Sequence, residues 1–194
     1  MEEKKLNVEI HRKELVSHVT KMDSKQDFNH DENSNWNELR FTQLGPDRRS
    51  YHSSSIHHKK LYIYGGHDIR EGSKDTLYQF DFKKLKPQPE EDGNCWSLIQ
   101  TKGDEKPGCL AHHSTVVYGD RLFLFGGSNL EQENRKFYSL DLHTFRWDLV
   151  KSRGDLPMTR DEHTACVNEN DHSMLIFGGF CDGKRTNELI RYSF

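Results

Sequence analysis

The sequence predicts an all-β fold made of three four-stranded antiparallel units, and three observations predict it. Two short apolar runs around a turn, opened by histidine and closed by a glycine pair, occur as HSSSIHHKKLYIYGG (residues 52–66), HSTVVYGDRLFLFGG (113–127) and HTACVNENDHSMLIFGG (163–179). A third run follows each pair: LYQFD (77–81), FYSLD (137–141) and LIRYS (189–193). Tryptophan then recurs at Trp36, Trp96 and Trp147. Fixed order at a fixed period is the signature of a repeat architecture.

The period is about 50 residues. The signature histidines His52, His113 and His163 are 61 and 50 apart, and the glycine pairs end at Gly66, Gly127 and Gly179, 61 and 52 apart. The first repeat carries an excess between Asp81 and Trp96, where KKLKPQPEEDGN reads as an inserted loop because Pro87 and Pro89 cannot join a ladder.

Each unit reads as four strands. Strand a follows the histidine (SSSI, STVV, TACV) and is small and β-branched. Strand b precedes the glycine pair (LYIY, LFLF, MLIF) and is continuously apolar, so both its faces are covered. Strand c is the aromatic-Asp run and strand d holds tryptophan (WSLIQ, RWDLV). Small residues belong where strands converge, which places a innermost and d outermost in a wedge-shaped sheet. Wedges set around an axis form a β-propeller. The glycine pair ends strand b where the chain turns without a Cβ. With no helix following, it is architecture and not a phosphate cradle.

The units span about residues 48–100, 109–151 and 159–194 within a domain over 36–194, with 36–41 as an unpaired or ring-closing outer strand. Residues 1–35 form a polar extension or linker. Leu6, Val8 and Ile10 alternate and Leu15, Val16 and Val19 suit a short helix, whereas DSKQDFNHDENSN has too little apolar area to offset ordering entropy. Three units do not close a propeller of about 4–8 blades. Two completions stay open: the chain is part of a six-blade ring, or two copies build one.

The 194 residues carry a net charge of -3, which leaves no electrostatic footprint for nucleic acid or an acidic membrane. No run of 18 apolar residues occurs, and MEEKKLNVEIHRKEL lacks the apolar core of a signal peptide. Cys95, Cys109, Cys166 and Cys181 form no CxxC pair, so free thiols in a reducing cytoplasm are expected.

The order His-Ser/Thr, apolar strand, Gly-Gly, aromatic-x-aromatic-Asp, Trp resembles the kelch repeat, over about four fifths of the chain. RRSYHS (48–53) and HHSTVVYGDRLFLFGG (112–127) are most similar to the kelch domain of leucine-zipper-like regulator proteins. That resemblance implies a kelch-type propeller and substrate recognition for a cullin ubiquitin ligase, although no BTB segment is present. The chain departs from the pattern at Leu110, where Arg49 and Arg160 stand in the other units, and at Ile190, where the others have Tyr78 and Tyr138.

In such a blade the d–a and b–c connections share one rim. It gathers Arg48, Arg49, Tyr51, His67, Asp68, Arg70, Lys106, His112, Ser128, Asn129, Arg160, Glu162, Phe180 and Asp182. Arginine, aromatic and histidine side chains on loops held by a rigid scaffold suit a protein partner. Arg49, Tyr51, His67, Asp68, His112, Ser128, Arg160, Glu162, Phe180 and Asp182 are the expected binding residues, with Arg49 and Arg160 as anchors. No GxSxG, HExxH, GxxxxGK[ST] or GxGxxG motif occurs. No cofactor or metal set is expected either: the adjacent pairs His57-His58 and His112-His113 would face opposite ways on a strand. A non-enzymatic interaction module, or scaffold in a larger assembly, is thus the leading reading. A small-molecule or metal-dependent enzyme with a site at the ring centre is the alternative.

Overall fold

The computed structural model describes Asn35, Leu39 and residues 45–85, 94–129 and 131–194. The chain divides into two compact units, Met1–Arg40 and Phe41–Phe194. The expected N-terminal strand or helix, Trp36 and most of the Pro-rich loop lie outside the described residues. Leu39, within the anticipated outer strand, is exposed and in no strand.

The first blade comprises β1 (Ser53–His57), β2 (Lys60–Tyr64), a short hairpin of β3 (His67–Asp68) and β4 (Gly72–Ser73), then β5 (Leu77–Asp81) and β6 (Trp96–Ile99). The second comprises β7 (Ser114–Tyr118), β8 (Arg121–Phe125), β9 (Tyr138–Asp141) and β10 (Trp147–Leu149). The third has β11 (Thr164–Asn168), β12 (Ser173–Phe177), a hairpin of β13 (Phe180–Cys181) and β14 (Lys184–Arg185), and β15 (Leu189–Ser193). Sheet orders are β1-β2-β5-β6, β7-β8-β9-β10 and β11-β12-β15, all antiparallel. The expected a-b-c-d order therefore holds. The third sheet has three described strands, a, b and c, and its c strand runs to Ser193.

The wedge follows from side-chain size. The small a strands of adjacent blades face one another, with the Ser55 hydroxyl 2.9 Å from that of Thr115. The b strand of the middle blade is buried on both faces because alternate residues enter different seams. Leu122 and Leu124 pack with Tyr62, Tyr64, Leu77, Leu110, Tyr138 and Trp147 between blades one and two. Phe123 and Phe125 pack with Val116, Phe137, Met174 and Ile176 between blades two and three. The core is thus two inter-blade layers. On the third blade the outward face has no third layer among the described residues, and Phe177 and Leu189 are exposed.

The aspartate closing the c strand of the first two blades has a local task. Asp141 accepts the amides of His143 and Thr144 at 3.0 and 2.8 Å, and Asp81 accepts that of Lys83 at 3.0 Å. Each shapes the c–d turn.

Candidate functional site

The glycine pairs are where blades meet. Gly66 N donates to Leu110 O at 2.8 Å, and Gly127 N donates to Arg160 O at 2.9 Å, each across a seam. A Cβ on Gly65 would lie 2.4 Å from Leu110 O, and one on Gly126 would lie 2.3 Å from Arg160 O. The signature histidine locks the same joint: His113 Nε2 is 2.8 Å from Ser53 Oγ, and His163 Nε2 is 2.7 Å from Ser114 Oγ. Burial drives the His113 pKa down to about 3 and that of His163 to about 4.

The rim above these joints is built from the d–a loops pairing onto the b–c loops, through bridges Ser50↔His67, Ala111↔Ser128 and Asp161↔Phe180. The residue before each signature histidine is left-handed: Tyr51 (φ 56°), His112 (φ 58°) and Glu162 (φ 58°). This conformation is costly for a residue with a Cβ. It is held by amides donated from blade to blade, His112 N to Tyr51 O at 2.9 Å and Glu162 N to His112 O at 3.1 Å. The side chains follow the same path. The Tyr51 and His112 rings stack with centroids 3.9 Å apart, and His112 Nδ1 is 3.6 Å from a Glu162 carboxylate oxygen. Three predicted rim residues from three blades therefore form one row at the axial end of the a strands.

The two expected anchors are placed differently. Arg160 is 2% exposed and donates to Gly178 O at 3.2 Å and to the Glu188 carboxylate at 2.8 Å. Arg49 donates to Gly65 O at 2.9 Å and to Thr76 Oγ1 at 3.1 Å, with its guanidinium over the Tyr78 ring. Both guanidiniums are turned inward to hold a glycine-pair carbonyl of their own blade, so Arg160 offers a partner no surface. In the middle blade, where Leu110 fills the seam instead, Asn134 Nδ2 donates to the equivalent carbonyl of Gly126 at 3.0 Å. The departure at Leu110 is thereby compensated 24 residues downstream.

Other predicted residues also serve the loops. Asp68 accepts the amides of Arg70 and Glu71 at 2.8 and 3.0 Å, which hold its carboxyl below the usual range. Ser128 donates to Asp161 at 2.6 Å, and His67 Nδ1 is 3.4 Å from Ser73 Oγ. Burial raises the Asp161 carboxyl above its ordinary value. Phe180 is exposed, and Asp182 lines a groove of about 1190 Å³.

That groove runs between the d–a and b–c loops, with Leu110, Asn134, Lys136, Leu156 and Met158 among its walls. Residue-type reasoning missed its apolar members. The signal was there in Leu156-Pro157-Met158, an apolar interruption of a polar loop. Outside the groove, Ile69 stands 93% exposed between Asp68 and Arg70 at the tip of the β3–β4 turn. On the opposite rim, the expectation that His57 and His58 diverge is overturned. His58 has left the strand with φ 52°, and its ring lies against that of His57, centroids 4.0 Å apart.

Residues 88–194 match the family model of the KLHDC2/KLHL20/DRC7 Kelch-repeats domain. The chain is 30% identical over 159 residues to Kelch domain-containing protein 3 of Rattus norvegicus, covering 74% of this chain and 38% of that protein. It is 32% identical over 158 residues to Host cell factor 2 of Homo sapiens, covering 74% of this chain and 19% of the relative. It is 30% identical over 141 residues to the N-(sulfonatooxy)prop-2-enimidothioate sulfolyase of Thlaspi arvense, covering 71% and 37%. The chain thus spans well under half the length of these relatives.

Proposed function

The chain belongs to the kelch-repeat family, and from that premise we propose that it is a non-enzymatic protein-interaction module that docks its partner on the d–a/b–c rim. One observation carries this reading: the Tyr51–His112–Glu162 row lies on the same rim as the exposed apolar side chains Ile69, Met158 and Phe180. Scattered exposed apolar residues are ordinary. Several on one rim, beside a groove and rigid aromatic and charged neighbours, are what a docking patch offers.

The test is quantitative capture of a partner by purified chain. Tyr51→Ala with Met158→Glu on this rim is compared with Arg146→Glu on the opposite rim. Loss of capture by the first variant and retention by the second is the expected result. Equal retention by both, or loss only with Arg146→Glu, overturns the assignment. Substrate recognition for a ubiquitin ligase is the narrower form of the reading, supported by the spelling of residues 48–53 and 112–127, and cullin in the captured fraction would identify it. For an enzyme at the ring centre, His112, Asp161 and Glu162 are candidate groups, since they lie close enough to act on one another. A turnover abolished by Asp161→Asn would favour that alternative.

We further propose that another blade of the same kind covers the third blade, supplied by a longer protein or by a second copy. Thr164 occupies the place from which Ser53 and Ser114 meet the next blade's histidine. Among the described residues a Cβ on Gly178 would meet only Thr186 O of its own blade, at 3.3 Å, where one on Gly65 or Gly126 would meet a neighbouring blade. Sedimentation of the purified chain separates the two sources, since self-completion requires a dimer.

A further inference from the structure

The turns of the opposite rim bring together imidazoles that neither the repeat architecture nor the docking rim uses. His57 ends β1, His58 sits in the β1–β2 turn, Asp120 in the β7–β8 turn and His143 in the β9–β10 turn. His57 Nε2 is 3.0 Å and His58 Nε2 is 3.9 Å from Asp120 Oδ1, while His143 Nε2 is 3.4 Å from Asp120 Oδ2. The donor atoms of His57, His58 and Asp120 all lie within 4.8 Å of one another. Three Nε2 atoms from two blades thus surround one carboxylate.

The same place in the next seam is plain by comparison. There Tyr118 and His172 make one hydrogen bond of 2.8 Å, which suffices to join the turns. A single His57–Asp120 hydrogen bond would likewise suffice in the first seam, and it leaves the convergence of His58 and His143 unexplained. Zinc supplies a reason. With ligand bonds of about 2.0–2.2 Å, tetrahedral geometry sets neighbouring donors about 3.3–3.5 Å apart. The 3.0 and 3.9 Å separations of the His57 and His58 Nε2 atoms from Asp120 Oδ1 bracket that spacing, and His143 approaches the other carboxylate oxygen at 3.4 Å. His58, Asp120 and His143 are exposed and rotate with little hindrance, while the more buried His57 supplies a fixed point.

We propose that His57, His58 and Asp120, with His143 as the fourth ligand, form a divalent transition-metal site of the zinc type that clips the first blade to the second. Three imidazoles and one carboxylate favour zinc over calcium or magnesium, which take all-oxygen sets. The ion would tie turns 63 residues apart in the chain.

The experiment is titration of the metal-stripped full chain with Zn²⁺ against a competing chromophoric chelator, with Co²⁺ absorption reporting the geometry. One ion per chain is expected, with a tetrahedral Co²⁺ spectrum and a rise in Tm on zinc addition. His58→Ala and Asp120→Asn each lower the affinity at least tenfold. Both positions are exposed, so far-ultraviolet circular dichroism should show an intact fold, and a folded variant is required for the comparison. His143→Ala leaves binding but alters the Co²⁺ spectrum. Absence of stoichiometric zinc overturns the proposal. So does zinc binding undiminished in both His58→Ala and Asp120→Asn, which would assign the ion to other members of this twelve-histidine chain.

Discussion

His113 reaches from the second blade to place its Nε2 2.8 Å from the Ser53 hydroxyl of the first. The ring is buried, packs edge-on against Tyr64 and lies against Gly65, where an added Cβ would meet its Cε1 at 2.8 Å. One side chain therefore joins the signature histidine, the strand b aromatic and the glycine pair of two successive repeats. The repeat motif is the record of this joint.

Replacing His113 by alanine removes the hydrogen bond and opens a cavity in the seam, at a cost of about 2–4 kcal/mol. His163→Ala behaves alike. The equivalent His52 is exposed, and its replacement costs no more than about 0.5 kcal/mol. Urea denaturation of the three variants checks the ranking.

Acid destabilises the same joint. The pKa values of His113 and His163 are depressed to about 3 and about 4, below the ordinary value of 6.5. Between these limits the unfolded chain binds protons that the folded chain does not. Stability from these groups is therefore complete above pH 6.5 and is lost as pH falls toward 4 and then 3. The slope reaches about 1.4 kcal/mol per pH unit for each histidine. Unfolding free energies measured across that range should lose part of this slope in His113→Asn.

Glycines at equal motif positions differ in what surrounds them. Gly126→Ala places a Cβ 2.3 Å from Arg160 O and requires the seam to open, costing at least about 3 kcal/mol. Gly178→Ala bears the left-handed penalty of φ 68° and a tight 3.3 Å approach to Thr186 O, about 1–2 kcal/mol in all. Where a further blade covers the third, the second substitution becomes as damaging as the first. Thermal melts of the chain alone and of the completed ring read this directly.

The inward arginine is a further test. Arg160→Met leaves the buried Gly178 O without its donor, while the exposed Glu188 is solvated, and costs about 1–3 kcal/mol. Arg160→Lys recovers little, since an ammonium cannot reach both acceptors as a planar fork does. Asn134→Ala, which removes the substitute donor of the middle blade, costs about 1 kcal/mol. Chemical denaturation separates the three.

Blade order, the innermost place of strand a and the double burial of strand b were legible because they rest on residue size and on alternation at period two. Ser, Thr and Val in strand a fit where wedges converge, and LFLF fits a strand with a layer on each side. The inward arginines were not legible. A charged residue in a loop reads as solvated, and only the fold brings the Gly178 carbonyl and Glu188 to Arg160. The groove walls at Leu156 and Met158 were passed over for a similar reason: apolar residues in a loop have no period to announce them.

By itself, then, the sequence determined that this is a kelch-type all-β chain and which residues repeat, because local pattern and spacing carry that information. Only the tertiary structure decided what those residues touch. It turned Arg49 and Arg160 from a rim into a buttress, aligned Tyr51, His112 and Glu162 across three blades, and drew His57, His58 and His143 around Asp120. Each of these depends on contacts between residues 16 to 63 apart in the chain. The left-handed backbone at Tyr51, His112 and Glu162 is held by amides from blade to blade, and that at His58 by its own β1–β2 turn, and neither leaves a trace in residue type.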